Sequence, residues 1–492
     1  MSRELLLGID IGTTNAKGAL VTPAGEIVAE TSIRHAVSYP QPGWAEHDAQ
    51  KVWWHDFVQL CRTLLGRDDV EASQVAGVSV STLTPAVQAV DADFEPLYPA
   101  ILYGLDNRAA AETEELGEIL GKDFSQKENL RPLLQKCPAC KILWMKKHEP
   151  EIFSKTRYFM GAPSYLVYRL TGVLVADYAC YKLAGLPFSL KKMGWHEEAC
   201  AACGISVDQL PPLRFATERA GEVTAEAAAQ TGLLQGTPVA VGTGDYPADS
   251  LSYGTRFLGM PQISYGSCVG VNNGSDPAAL LFTDYETDWE MEAMPGGSMA
   301  NGCVNIDWMR GILSGKDETQ KLTNEDLEEM LRSIPAGSEG LIMLPYFNGE
   351  KAPFMDPDAK GVMYGLTLKH TKGHLYKASL ESIGYAVRHI LSLRTPDGKN
   401  EAFVVGGGTQ IPGLLQTVSD ITGYRQTALA NHNGAVVGDA FIAGMACGMF
   451  TRRDQIDPWV KVMPTVEPNP ACRALYDQGF ETYRWIYQRL FS

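Results

Sequence analysis

At 492 residues, 45% hydrophobic and 20% charged, the chain carries ample material for large cores, and its length favours two or more domains. A formal charge of −16 argues against nucleic acid or an anionic membrane as partner, because phosphate backbones and acidic lipids are bound by basic faces. No apolar run approaches a bilayer span, and one Arg before a short apolar strand without a small-residue cleavage site is no signal peptide, so a cytoplasmic protein is expected.

The first predicted element is a strand over Leu5–Ile11 that breaks into Gly12-Thr13-Thr14 and is followed by a second apolar run from Gly18 to Val21, the pattern of a tight hairpin. Asp10, flanked by Ile9 and Ile11 at the mouth of a buried strand, is costly to desolvate and calls for a partner such as hydrated Mg²⁺. Gly12 allows close backbone approach to an anion, Thr13 and Thr14 add hydroxyl donors, and Lys17 adds a point charge, so the turn reads as a phosphate clamp. An ordinary hairpin with a polar tip is the alternative this segment alone leaves open.

Residues 75–81 and 87–91 predict strands, while Ala109–Leu120, Lys141–Lys147 and Ser164–Leu170 predict helices, an alternation that points to α/β architecture. Past Asp245 the cycle returns with a strand near Gln262–Tyr265, a turn at Gly266-Ser267-Cys268 and a strand at Val269–Asn272. This echo of the opening hairpin suggests a duplicated core with its boundary between residues 245 and 260. An apolar run over Leu341–Tyr346 leads through Asn348-Gly349-Glu350 into a loop bearing Pro353 and Pro357. A long helix from about His374 to Leu393 follows, with Leu375, Ala378, Leu380, Ile383 and Val387 at helical spacing and mostly core. Ala402–Val405 then predicts a strand running into Gly406-Gly407-Gly408-Thr409-Gln410 and a helix from about Leu414. A tight strand-to-helix turn does not need three glycines, whereas a ligand lying against bare backbone at a helix N-terminus does.

Two Cys-x-x-Cys pairs, Cys137/Cys140 and Cys200/Cys203, have metal or redox spacing, but about sixty residues separate them, and the ten cysteines read mainly as small buried apolar residues. His370 and His374 are spaced like a ligand pair, yet a glycine interrupts the segment and a helix start is the expected reading. Gly311-Ile312-Leu313-Ser314-Gly315-Lys316-Asp317 fails the Walker A pattern and no G-x-G-x-x-G is present, which removes support for a P-loop kinase and a dinucleotide dehydrogenase.

Gly361-Val362-Met363-Tyr364-Gly365-Leu366, then seven residues, then His374-Leu375 and Ala378-Ser379-Leu380-Glu381, resembles the C-terminal signature of the FGGY carbohydrate kinase family, within the actin and Hsp70 ATPase superfamily. The N-terminal signature resembles Pro138-x-x-Lys141-Ile142-x-Trp144-Met145-x-Lys147-His148, with Lys136 departing at its first position. Within the family, Pro42–Asp48 and Leu143–Phe153 are most similar to xylulokinases.

The resemblance implies two ribonuclease-H-like domains flanking a cleft: 1–247, with the sugar site and first phosphate hairpin, and 248–492, which binds adenosine. It implies transfer of the γ-phosphoryl of ATP, with Mg²⁺, to a hydroxyl of a ketopentose or related polyol. Asp245 in Gly242-Thr243-Gly244-Asp245 falls on the family's base and Asp10 on its metal-associated aspartate. The first phosphate turn falls on Gly12, Thr13, Thr14 and Lys17, the second on Gly266-Ser267, and the adenosine turn on Gly407-Gly408-Thr409-Gln410, continuing into Thr422-Gly423. Thr84-Pro85 stands where xylulokinases carry a Met-His pair that touches the sugar, and Lys351 stands where the family usually has Arg. Thr84, Pro85, Asp106, Asp245 and Tyr246 are therefore the expected acceptor contacts, with a surface salt bridge as the alternative for Asp106 and Arg108. The expected partner is a small sugar or polyol, and a homodimer is left open. A nucleotide-binding regulatory or chaperone-like protein is the competing reading, against which the presence of both Asp10 and Asp245 argues.

Overall fold

Two β-sheets built on the same strand order organise this chain, whose computed structural model describes residues 4–272, 274–283, 296–314, 322–352, 354–393, 399–430 and 434–491. Pro353 and the segment Gly315-Lys316-Asp317 lie outside the described residues. The chain divides into two compact units: Met1–Arg256 with Asp276–Thr287 and Asn433–Val460, and Phe257–Ser275 with Asp288–His432 and Lys461–Ser492.

In the first unit, β1 (Leu5–Ile11) pairs antiparallel with β2 (Asn15–Val21), which pairs antiparallel with β3 (Ile27–Arg34). On its other side β1 pairs parallel with β4 (Val75–Thr82), and β4 pairs parallel with β5 (Pro238–Ala240). In the second unit, β6 (Gln262–Tyr265) pairs antiparallel with β7 (Val269–Asn272), which pairs antiparallel with β8 (Gly297–Ser298). There β6 pairs parallel with β9 (Glu401–Val405), which pairs parallel with β10 (Arg425–Ala428). The two sheets thus share one path, two antiparallel steps and two parallel ones. That is the duplication the repeated hairpins predicted.

β1 is apolar apart from Asp10 because both of its faces are covered. Leu5, Leu7, Ile9 and Ile11 join the core that holds Phe57, Leu60 and Leu64 of α1 (His55–Leu65). Leu6, on the opposite face, joins the core of α8 (Ala435–Ala446) with Val436 and Ala440. The pleat puts Leu6, Gly8 and Asp10 on that same face. A Cβ at Gly8 would strike the backbone of Val436 and Ala440, so glycine lets α8 lie directly on the strand that carries Asp10.

Between α1 and α8 in chain order come α2 (Pro138–His148), α3 (Ala162–Thr171), α4 (Tyr178–Ala184), α5 (Asp245–Leu251), α6 (Lys372–Leu391) and α7 (Leu414–Thr422). Ala110–Leu120 is helical as expected, and the strand predicted at 87–91 is Gln88–Val90. α6 starts at Lys372 with Thr371 as its N-cap, and His374 Nδ1 accepts from Thr371 N–H at 3.1 Å, so His374 closes a capping box instead of holding a metal. Cys137, Cys140, Cys200 and Cys203 share one apolar core, all four unbonded, with burial pushing the Cys137 and Cys140 thiols up, the latter to about 12. No helix among the described residues is long and apolar enough to cross a membrane.

Candidate functional site

The first hairpin ends in a turn that only glycine can open. Gly12 N–H donates to Asn15 O at 3.0 Å, and a Cβ on Gly12 would sit 2.9 Å from that oxygen. Thr13 is half-buried with its hydroxyl 2.9 Å from Tyr103 Oη, while Thr14 and Lys17 are exposed. Lys17 faces Asp10 across the hairpin.

Asp10 reaches a cavity of about 310 Å³ lined by Asp10, Lys17, Asp245, Tyr246, Asp249, Gly434, Ala435 and Val436, all in the first unit. Asp245 opens α5, where its Oδ1 accepts from Tyr246 N–H at 2.8 Å and its charge complements the helix N-terminus. Asp249 lies four residues on, on the same helix face. Burial, then the charge of Asp245, pushes the Asp10 carboxyl up to about 7. Burial, and after it the charge of Asp249, pushes Asp245 up to about 6 against the pull of the Tyr246 amide.

Behind Asp10, Ser81 occupies the matching position on β4. Its Oγ lies 3.1 Å from Asp10 Oδ1 and 2.6 Å from Asp439 Oδ2 on α8. One hydroxyl proton cannot serve two carboxylates. Burial holds the fully buried Asp439 well above the ordinary carboxylate range, and of the two carboxyls only Asp10 lines the cavity.

Among the described residues no group of three or more His, Cys, Asp and Glu side chains is arranged to hold a metal ion unaided. That suits Mg²⁺, which keeps several waters and takes one or two carboxylates together with phosphate oxygens. Asp10 in a cavity large enough for a phosphate chain fits an ion delivered with its nucleotide.

A second, narrower recess of the first unit, with room for about one water molecule (≈ 10 Å³), is lined by Thr84 and Pro85 with residues of α3 and α4. A Cβ at Gly244 would sit 2.6 Å from Thr84 Oγ1, so Thr84 adjoins the residue immediately before Asp245. Asp106 is elsewhere. Its side chain is fully buried, accepts from Ala45 N–H at 2.7 Å, and pairs with a buried Arg108 that also meets Glu46 at 2.8 Å. The Arg108 guanidinium lies 4.0 Å from the Trp44 ring centroid. Neither expectation for this pair, pocket wall or surface salt bridge, describes it: the ion cluster is internal and lines neither cavity.

In the second unit, Gly266 and Ser267 form the turn between β6 and β7, with Ser267 exposed. The glycine run after β9 is more tightly packed than expected from a bare ligand platform. Gly406 (φ 97°) and buried Gly408 press on Tyr265, where a Cβ at either would fall within 3 Å, so packing accounts for two of the three glycines. Gly407 and Gln410 are exposed, and Gly407 alone of the three faces open space. Gly423 caps α7 in the left-handed region.

Sequence reasoning missed Asp249, although its i+4 spacing from Asp245 on an expected helix start was a usable signal. It also missed Ser81, Asp439 and His35, which become neighbours of the hairpin only through strand pairing and helix packing.

Residues 5–251 match the N-terminal domain of the FGGY family of carbohydrate kinases, and residues 264–447 match its C-terminal domain. The chain is 28% identical over 497 residues to a xylulose kinase of Bacillus subtilis (strain 168), covering 98% of this chain and 97% of that protein. It is 27% identical over 470 residues to a gluconokinase of the same organism, covering 92% and 90%. A solved xylulose kinase from Rhodospirillum rubrum superposes with a TM-score of 0.84 at 27% identity, covering 99% of each chain. Two sheets of the ribonuclease-H-like order, the acid-lined cavity and matches along nearly the whole length lead to one conclusion: the chain belongs to the FGGY family of carbohydrate kinases and is an ATP-dependent sugar phosphotransferase working with Mg²⁺.

Proposed function

We propose that this kinase transfers the γ-phosphoryl of ATP to a hydroxyl of a ketopentose of the xylulose type or a closely related polyol, with Asp245 as general base and Asp10 as the carboxylate that holds Mg²⁺. The observation that carries the reading is that Asp10 and Asp245, 235 positions apart in the chain, line one cavity. The substrate class is supported by the long matches to xylulose kinases, and Thr84, which adjoins Gly244 beside Asp245, is where this chain departs from them.

Phosphoryl transfer through a loose transition state asks the protein for positioning and charge compensation more than for covalent chemistry. Mg²⁺ bound with ATP supplies charge compensation at the phosphates. Asp245, raised to about 6, is ionised near neutral pH yet basic enough to orient the acceptor hydroxyl and take its proton late in transfer, a role worth ~10²–10⁴-fold. Tyr246, Thr84 and Pro85 shape the acceptor side, and Gly12, Thr13, Thr14 and Lys17 face the phosphates. Gly266 and Ser267 form the second phosphate turn, while Gly407, Gly408 and Gln410 border the adenosine. The division of labour is the first unit, which runs past residue 247 to Arg256 and takes back Asn433–Val460, for acceptor and first phosphate turn, and the second unit, within 257–492, for adenosine. The cytoplasm, where ATP and free sugars meet, is the proposed setting.

ADP release measured with D-xylulose, D-ribulose, gluconate and glycerol tests this reading. The highest kcat/KM is expected with a ketopentose. A clear preference for gluconate or glycerol overturns the substrate class, and slow ATP turnover indifferent to every acceptor overturns the kinase role itself.

A further inference from the structure

Two carbonyls of the first hairpin turn, those of Gly12 and Thr14, are held from behind by one residue. His35, immediately after β3, is nearly buried, with Nε2 3.1 Å from Gly12 O and Nδ1 2.8 Å from Asp56 Oδ2 on α1. Its backbone N–H donates to Thr14 O at 3.1 Å. A backbone carbonyl can only accept, so Nε2 carries the proton that His35 donates to Gly12 O, and Asp56 fixes the ring from its other side. Asp56 offers its second oxygen to His55 Nδ1 at 3.0 Å, and the His47 ring, edge-on to His35 at 5.1 Å, is pushed down to about 4 by burial and then by His35, so it stays neutral.

Tying Gly12 O to His35 also aims the next amide. In a trans peptide the C=O of one residue and the N–H of the next point in opposite directions. The Thr13 N–H is therefore turned to the side of the turn away from His35. The second hairpin secures its turn in the same way with different groups: Gly266 O accepts from Cys303 N–H at 3.1 Å and Ser267 O from Gly302 N–H at 2.8 Å, at the start of helix Cys303–Ser314. Backbone amides there do what the His35 ring and amide do in the first unit.

We propose that His35 is a positioning residue for ATP: by gripping Gly12 O and Thr14 O it holds the Gly12–Thr14 turn with its amide face toward the phosphate chain, and Asp56 holds its ring in the orientation that task needs. The inference rests on reading Gly12–Thr14 as a phosphate turn. Calorimetric binding of MgATP and of adenosine to the full chain, without acceptor, tests both ideas separately. His35→Ala is expected to weaken MgATP binding about tenfold with adenosine binding unchanged, and His35→Gln, which keeps a donor for Gly12 O, to recover most of the loss. Because His35 is buried, thermal unfolding of each variant is measured, and Asp56→Asn, which removes the carboxyl group and leaves the ring in place, gives a second reading with about threefold weaker MgATP binding. Wild-type MgATP affinity in all three variants, alongside a clear loss in Lys17→Ala, overturns the role of His35 and leaves the phosphate turn standing. Unchanged affinity in Lys17→Ala as well overturns the phosphate turn and the inference with it. Equal loss of MgATP and adenosine binding in both His35 variants reduces the residue to a packing role and likewise overturns the proposal.

Discussion

The two hairpins of this molecule share a chassis and differ in charge. Each consists of a short strand, a glycine turn and an antiparallel return, and in each the first strand runs parallel to its other neighbour. Ser264 of β6 holds the position that Asp10 holds in β1, one residue before the strand ends. The parallel neighbour of Asp10 is Ser81 and that of Ser264 is Val405. The first unit thus assembles an acid-lined cavity with the buried Asp439 behind it, and the second presents a turn with no carboxylate on the strand that leads into it. The strand ends diverge too. β4 runs out at Thr84-Pro85 beside Asp245, and β9 runs out at the glycine turn assigned to the nucleotide. One duplicated scaffold can serve acceptor and donor because the sheet fixes where strand ends lie, while single residues there decide what chemistry they meet.

The sharpest way to break this comparison is at its charged half. Asp245→Asn is expected to lower kcat by ~10²–10⁴-fold with MgATP affinity unchanged, read by steady-state kinetics and calorimetry; equal loss of both contradicts its role as base. Asp10→Ser, which gives the first hairpin the residue of the second, should cost about 10²–10³-fold in kcat at saturating MgATP and raise the Mg²⁺ requirement. The pH profile is next. A base raised to about 6 is active when ionised, so at saturating Mg²⁺, which holds Asp10 in its charged form, kcat/KM should hold above that value and fall about tenfold per pH unit below it, as Asp245 takes up a proton. Gly266→Ala brings a Cβ to 3.2 Å from Cys268 O, and KM for ATP should rise roughly threefold to tenfold, about 0.7–1.4 kcal/mol, with kcat little changed. Ser264→Ala should have the smallest effect, within about twofold on either parameter, if the second hairpin works through its backbone.

Much of the architecture was legible along the chain. The strands at Leu5–Ile11, Gln262–Tyr265 and Glu401–Val405 announced themselves by apolar runs ending in glycine, and α6 by its helical spacing. Asp10 stood out because a carboxylate in such a strand is costly without a partner. Asp106 and Arg108 show the limit of this approach. Two opposite charges two residues apart look like surface, and only packing under Trp44 and against Glu46 made them internal. The glycine run after β9 shows it from the other side, since Tyr265, far away in sequence, accounts for two of its three glycines.

Period, turn chemistry and residue type are local properties, and they were enough for the repeated α/β scaffold, the two hairpins and a carboxylate at the tip of the first. The company that carboxylate keeps was not. Asp245 and Asp249 across the cavity, Ser81 and the buried Asp439 behind, and His35 gripping the turn converge from distant parts of the chain, because strand register and the close seating of α8 on Gly8 bring them there. Electrostatic coupling depends on separation in space, which chain order does not encode.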